Sequence, residues 1–122
     1  MRYAVFCYDS EAAIEAWSKA RDEEVMSKHG RTNQKLIDEK KLGPHLRLMP
    51  TTAAVSIRAG EEPLILDGPF AETKEQLLGL WIIDADTLEE AIAAGGELSN
   101  NKGTGTLEVR PLRVFAEGAA LA

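Results

Sequence analysis

Apolar side chains in this chain recur at two spacings, and the spacings divide it into strands and helices. Residues 2–8, Arg-Tyr-Ala-Val-Phe-Cys-Tyr, are rich in β-branched and aromatic types and predict a first strand. Asp9 and Ser10 then suit a helix N-cap. From about Glu11 to Lys41 the pattern turns helical, with Ile14, Val25, His29 and Leu36 on one stripe. Gly30 is expected to weaken or kink this helix, and Gly43-Pro44 to end it. Thr51 to Arg58 alternates as a strand, residues 59–62 turn, and Pro63 to Leu66 returns, so the pair predicts a hairpin.

The second half repeats the scheme. Leu77 to Ile83 predicts a strong strand. Thr87-Leu88-Glu89-Glu90 fits a capping box, opening a short helix expected to run to about Ala94 and to stop at Gly95-Gly96. Residues 99–105 read as a polar loop. Thr106 to Phe115 alternates as a last strand, with a bulge or edge at Pro111, and residues 116–122 read as a tail beyond a single domain of residues 1–115. Two βαβ-like halves predict an α+β, ferredoxin-like βαββαβ sandwich with an added hairpin strand. Leu80-Trp81-Ile82-Ile83 is apolar on both sides of its strand, so the sheet face away from the helices should also be buried, most simply against a second copy. A homodimer is expected.

Composition narrows the partners. Hydrophobic residues make up 44% and charged residues 28% of the 122, the balance of one folded domain. A net charge of −6 argues against nucleic acid or an anionic membrane as partner. No apolar run approaches the roughly 20 residues that cross a bilayer. Residues 1–8 lack the layout of a secretion signal, and the single cysteine, Cys7, suits a reducing compartment, so a cytoplasmic location is expected.

The stretch that stands out chemically is residues 67–76, Asp-Gly-Pro-Phe-Ala-Glu-Thr-Lys-Glu-Gln. Much of it shapes a turn: Gly68 and Pro69 set the backbone, and Phe70 reads as a hydrophobic plug. Thr73 to Gln76 could close one helical turn. The stretch resembles the signature of the DGPF family within the YCII-related superfamily. Residues 78–84, Leu-Gly-Leu-Trp-Ile-Ile-Asp, and 106–112, Thr-Leu-Glu-Val-Arg-Pro-Leu, resemble later blocks of that family in the right order. The resemblance implies a dimeric α+β barrel, in which two ferredoxin-like sheets pack face to face. In the wider superfamily a histidine–aspartate pair in a cleft has been suggested as an active site, and the matching positions are His29 and Asp67. The genes of the DGPF branch often neighbour those of extracytoplasmic-function sigma factors, which implies a regulatory context.

A carboxylate beside an imidazole orients it and favours its protonated form, while burial works the other way. His29 and Asp67 are therefore the candidate catalytic pair, with a satisfied core histidine that pins the turn as the alternative. Arg58, Phe70, Lys74 and Arg110 are candidate substrate contacts, since guanidinium matches carboxylate well. The bland role for Arg58 and Arg110 is an intra-sheet or interface salt bridge, for example with Glu108 or Asp67. Cys7 reads as a small apolar strand residue, and Trp17 and Trp81 as core or interface. No organic cofactor and no metal are expected: there is no phosphate-binding glycine loop or nucleophile elbow, and only His29 and His45 are available as imidazoles. Two functions follow. One is a cofactor-independent isomerase or lyase acting on a small organic molecule. The other is a non-catalytic dimeric module that binds a small molecule or serves a sigma-factor system.

Overall fold

A computed structural model describes residues 1–122. Strand β1 (Arg2–Asp9) leads into a short helix α1 (Glu11–Glu15) and a long helix α2 (Lys19–Asp38). Then come β2 (Leu42–Arg47), a hairpin of β3 (Val55–Arg58) and β4 (Leu64–Asp67), β5 (Gln76–Asp84), α3 (Leu88–Lys102) and β6 (Thr106–Pro111). The main sheet has the order β2-β5-β1-β6 and is antiparallel throughout. This is the ferredoxin-like α+β architecture, with the β3–β4 hairpin inserted as a separate two-stranded sheet.

The core lies between the helices and one face of the sheet. Tyr3, Val5 and Cys7 of β1 point to that face, beside Ile83 of β5. Val25, His29, Thr32 and Leu36 of α2 and Ala91, Ala94 and Leu98 of α3 cover them. Alternation along each strand sends Phe6, Leu46, Leu80 and Ile82 to the opposite face, where Leu46 is exposed and the other three are half-buried.

Four local expectations are corrected. First, the helical region from Glu11 to Lys41 is two helices. Ser10 caps α1 by accepting from the Ala13 N–H, and Ser18 caps α2 by accepting from the Arg21 N–H, so the chain turns at residues 16–18. Second, α2 runs through Gly30, which is exposed and meets nothing that a β-carbon would touch. Third, Gly43 and Pro44 lie inside a strand rather than ending a helix. Pro44 sits where β2 slips register between Leu42 and His45, on an edge strand that needs no donor from it. Fourth, α3 does not stop at Gly95-Gly96. Gly95 lies on the buried face, where a β-carbon would come 3.3 Å from Val109 Cγ2, so a small residue lets the helix approach the sheet. The helix continues to Lys102 and ends on Gly103 in the left-handed conformation (φ 78°).

The Thr87 cap is as expected: its hydroxyl accepts from the Glu90 N–H at 3.2 Å, while the Glu90 carboxylate reaches back to the Asp86 N–H. No helical turn forms at residues 73–76, where Gln76 opens β5 and its amide donates to the Thr73 carbonyl. Glu11 joins the hairpin to the main body. Its carboxylate accepts from the Thr51 N–H at 2.8 Å and from the Thr51 hydroxyl at 2.7 Å, and its own N–H donates to Gln76 Oε1 at 3.0 Å.

Glycine substitutions test this packing. A β-carbon at Gly79 would stand 2.4 Å from the Leu46 carbonyl oxygen, a backbone atom of the neighbouring strand. Gly79→Ala should therefore cost about 2 kcal/mol of stability. Gly30→Ala should add about 1 kcal/mol by improving helix propensity. Urea unfolding of the two variants checks both signs.

Candidate functional site

A cavity of about 280 Å³ opens between α2, β2 and β5. His29 forms part of its wall, with Trp17, Val25 and Met26 on the helical side and His45, Arg47 and Trp81 on the sheet side. Cys7 and Lys102 also reach it. Helical spacing explains why Val25, His29, Thr32 and Leu36 share one buried stripe. His29 is only 8% exposed.

Neighbours on three elements hold the imidazole. The Trp81 ring stands edge-on, 5.5 Å away between centroids, and its indole N–H donates to Asn33 Oδ1 at 3.1 Å. The Asn101 amide nitrogen lies 3.5 Å from Nδ1, at the long limit of a hydrogen bond, while it donates to the Thr32 hydroxyl at 2.8 Å. So weak a contact leaves the tautomer free to follow a ligand, and Nε2 has no protein partner. Burial first, and then the positive charges of Lys102 and Arg47, push the His29 pKa below its ordinary value. The ring is neutral at neutral pH.

A buried ion pair lies alongside. Lys102 Nζ is 2.9 Å from Asp9 Oδ2, with both residues nearly fully buried, and it also donates to Cys7 Sγ at 3.5 Å. Asp9 further accepts from the Thr104 hydroxyl and the Ser10 N–H, each at 2.8 Å. Burial works to raise the Asp9 pKa, but the hydrogen bonds from Lys102, Thr104 and Ser10 outweigh it and hold the carboxyl below its ordinary value. Burial pushes the Cys7 thiol up, against the pull of Lys102, so Cys7 stays protonated.

Of the six residues proposed from the sequence as catalytic or substrate contacts, only His29 lines this cavity. Asp67 ends β4, exposed and opposite Val55, and within one chain it makes no hydrogen bond to His29. Arg58 ends β3 and is exposed, as is Lys74 in the loop before β5. Phe70 plugs nothing within the chain: it is 87% exposed. Arg110 makes the bland contact, donating to both oxygens of Glu108 at 2.9 Å, with its guanidinium 5.5 Å from the Phe6 ring centre. Sequence reasoning missed Arg47 and Lys102, which fell in segments read as unstructured. Trp17, Trp81 and Cys7 were noticed but not placed together.

The fold and cavity define a ferredoxin-like α+β domain with one histidine-walled pocket. Residues 1–116 match the YCII-related domain, and the chain belongs to that family. An uncharacterized protein of Rhizobium meliloti (strain 1021) is 49% identical over 120 residues, which is 97% of each chain. No helix is long and apolar enough to cross a membrane.

The electrostatics predict two outcomes. In an NMR titration His29 should titrate below the ordinary imidazole value of about 6.5, and Arg47→Gln should raise it, because one nearby positive charge is gone. Stability should also fall in acid. The contribution of a neutral buried His29 is complete above about pH 6.5 and is lost as the pH drops through the lowered folded value. Asp9 acts in the same direction below about pH 4. The urea midpoint should therefore decline steadily on acidification from neutral pH.

Proposed function

We propose that this protein is a cofactor-independent acid–base catalyst that acts on a small organic molecule in the His29 cavity. The observation that carries this reading is a neutral, buried imidazole on the wall of a mostly apolar pocket, with Nε2 unclaimed by the protein. A neutral imidazole can take a proton from a weakly acidic C–H and return it at another position. Such proton relocation is an isomerisation, or an elimination when a leaving group departs. Apolar walls suit this chemistry, because they strengthen each electrostatic contact by excluding water.

The working form in this reading is a cytoplasmic homodimer, closed as an α+β barrel by the open sheet face of each copy. Two features support it. Phe6, Leu46, Leu80 and Ile82 make that face apolar and leave it partly open to solvent. The hairpin presents Ile57 and Ile65 with 70% and 67% of their surface exposed, although a lone two-stranded hairpin is marginally stable. Docked on a second copy, the hairpin would bring Asp67, Arg58, Phe70 and Lys74 to a neighbour.

Solvent exchange tests the chemistry. A panel of small carbonyl compounds and lactones in deuterated buffer, followed by proton NMR, should show protein-dependent loss of C–H signals for at least one member. His29→Gln should slow that exchange by about 100-fold or more with the circular dichroism unchanged. An unchanged rate in His29→Gln would sink the proposal. In sedimentation velocity the wild type should run as a dimer, and Leu80→Arg as a monomer.

A further inference from the structure

The lining of the His29 cavity contains no Asp or Glu, although the chain holds 20 such residues and carries a net charge of −6. Its charged members are Arg47 and Lys102. Their charges differ in availability. Lys102 is closely paired with Asp9 at 2.9 Å and is 5% exposed, so its charge is answered inside the protein. Arg47 is held loosely. Its Nη2 makes a solvent-exposed ion pair with Asp22 Oδ1 at 3.4 Å, and its Nη1 stands 3.4 Å from the Met26 sulfur, a weak acceptor. A guanidinium has five N–H donors, so Arg47 keeps most of its capacity for a ligand. The depressed His29 pKa is in keeping with a positive local field. A neutral imidazole adds no second charge to be matched.

The rest of the wall is apolar. Trp17, Val25, Met26 and Trp81 surround the space beside Arg47. The volume of about 280 Å³ is just below the roughly 300–1,000 Å³ that ligand pockets span, which favours a compact occupant. One available cation, no acid and a compact apolar wall fit a narrow class of ligand. On the reading of this cavity as the functional site, we infer that its ligand is a small organic monoanion, a carboxylate on a compact apolar body. The carboxylate pairs with Arg47, and the body lies against Trp17 and Trp81, within reach of His29. Arg47 is thus the residue that selects charge, and His29 the one that moves the proton.

Trp17 and Trp81 are the chain's two tryptophans, and both line the cavity, so intrinsic fluorescence reports its occupancy. The probes are benzoate and its neutral isostere benzamide, titrated at low ionic strength. Benzoate should change the emission saturably and bind at least about tenfold more tightly than benzamide, the scale of one charge-assisted hydrogen bond. Arg47→Gln should erase that preference while benzamide binding stays as in the wild type. Equal binding of the two probes by the wild type would overturn the anion assignment and leave the cavity a site for neutral molecules. A preference that survives in Arg47→Gln would overturn the role of Arg47. Saturable binding of neither probe would overturn both the ligand class and the cavity's reading as a small-molecule site.

Discussion

The ion pair between Lys102 and Asp9 joins the last turn of α3 to the end of the central strand β1, with both groups out of water. Burying two charges is costly unless every remaining polar atom finds a partner. Here the partners are present. Thr104 and the Ser10 N–H complete the coordination of the Asp9 carboxylate, and Arg21 donates to the Lys102 carbonyl at 2.6 Å. One carboxylate thereby gathers the end of β1, the end of α3 and the loop that leads to β6. It also fixes the cavity wall, since Cys7 and Lys102 line it. If Lys102 were cut back to an apolar residue, Asp9 would be left charged and buried, a change of the kind that costs about 3–5 kcal/mol.

Much of the fold was legible in the sequence because period and punctuation agreed. The first strand, the Leu77–Ile83 strand and the Thr87 cap appear where their patterns put them; the hairpin forms too, but its first arm starts at Val55 because Thr51–Ala53 makes a 3₁₀ turn instead of a strand. Several of the errors share one cause, which is glycine. Gly43-Pro44 looks like the end of a helix, yet it sits in an edge strand whose register shift accommodates proline. Gly95-Gly96 looks like a stop, yet Gly95 is a packing contact on a helix that continues. Local propensity cannot separate a glycine that breaks a helix from one that lets it lie close to a sheet; only the neighbouring element decides.

Those errors also explain what was legible of the site. His29 could be found because it lies on a stripe with Val25 and Leu36. Its cationic neighbours could not. Lys102 belongs to the part of α3 assigned to a loop, and Arg47 to the strand that went unread. The Asp-Gly-Pro-Phe stretch was conspicuous by composition, but composition does not give distance. Asp67 ends a separate two-stranded sheet and the next three residues form the loop after it, and none of the four lines the cavity of their own chain.

The place of β1 in the sheet has a consequence for how the chain comes together. β1 lies between β5 and β6, with Tyr3 opposite both Ile83 and Pro111. Of the sheet's four strands, the first to leave the ribosome is therefore bonded on both edges by the last two. Until they emerge it is an apolar strand with two open edges, which makes nascent chains prone to stray pairing. The pairings that close the sheet are long-range and correspondingly slow. The β3–β4 hairpin pairs only with itself and can form within microseconds. The hairpin can thus pair early in the life of each molecule, whereas the cavity exists only after β5 and the end of α3 have arrived.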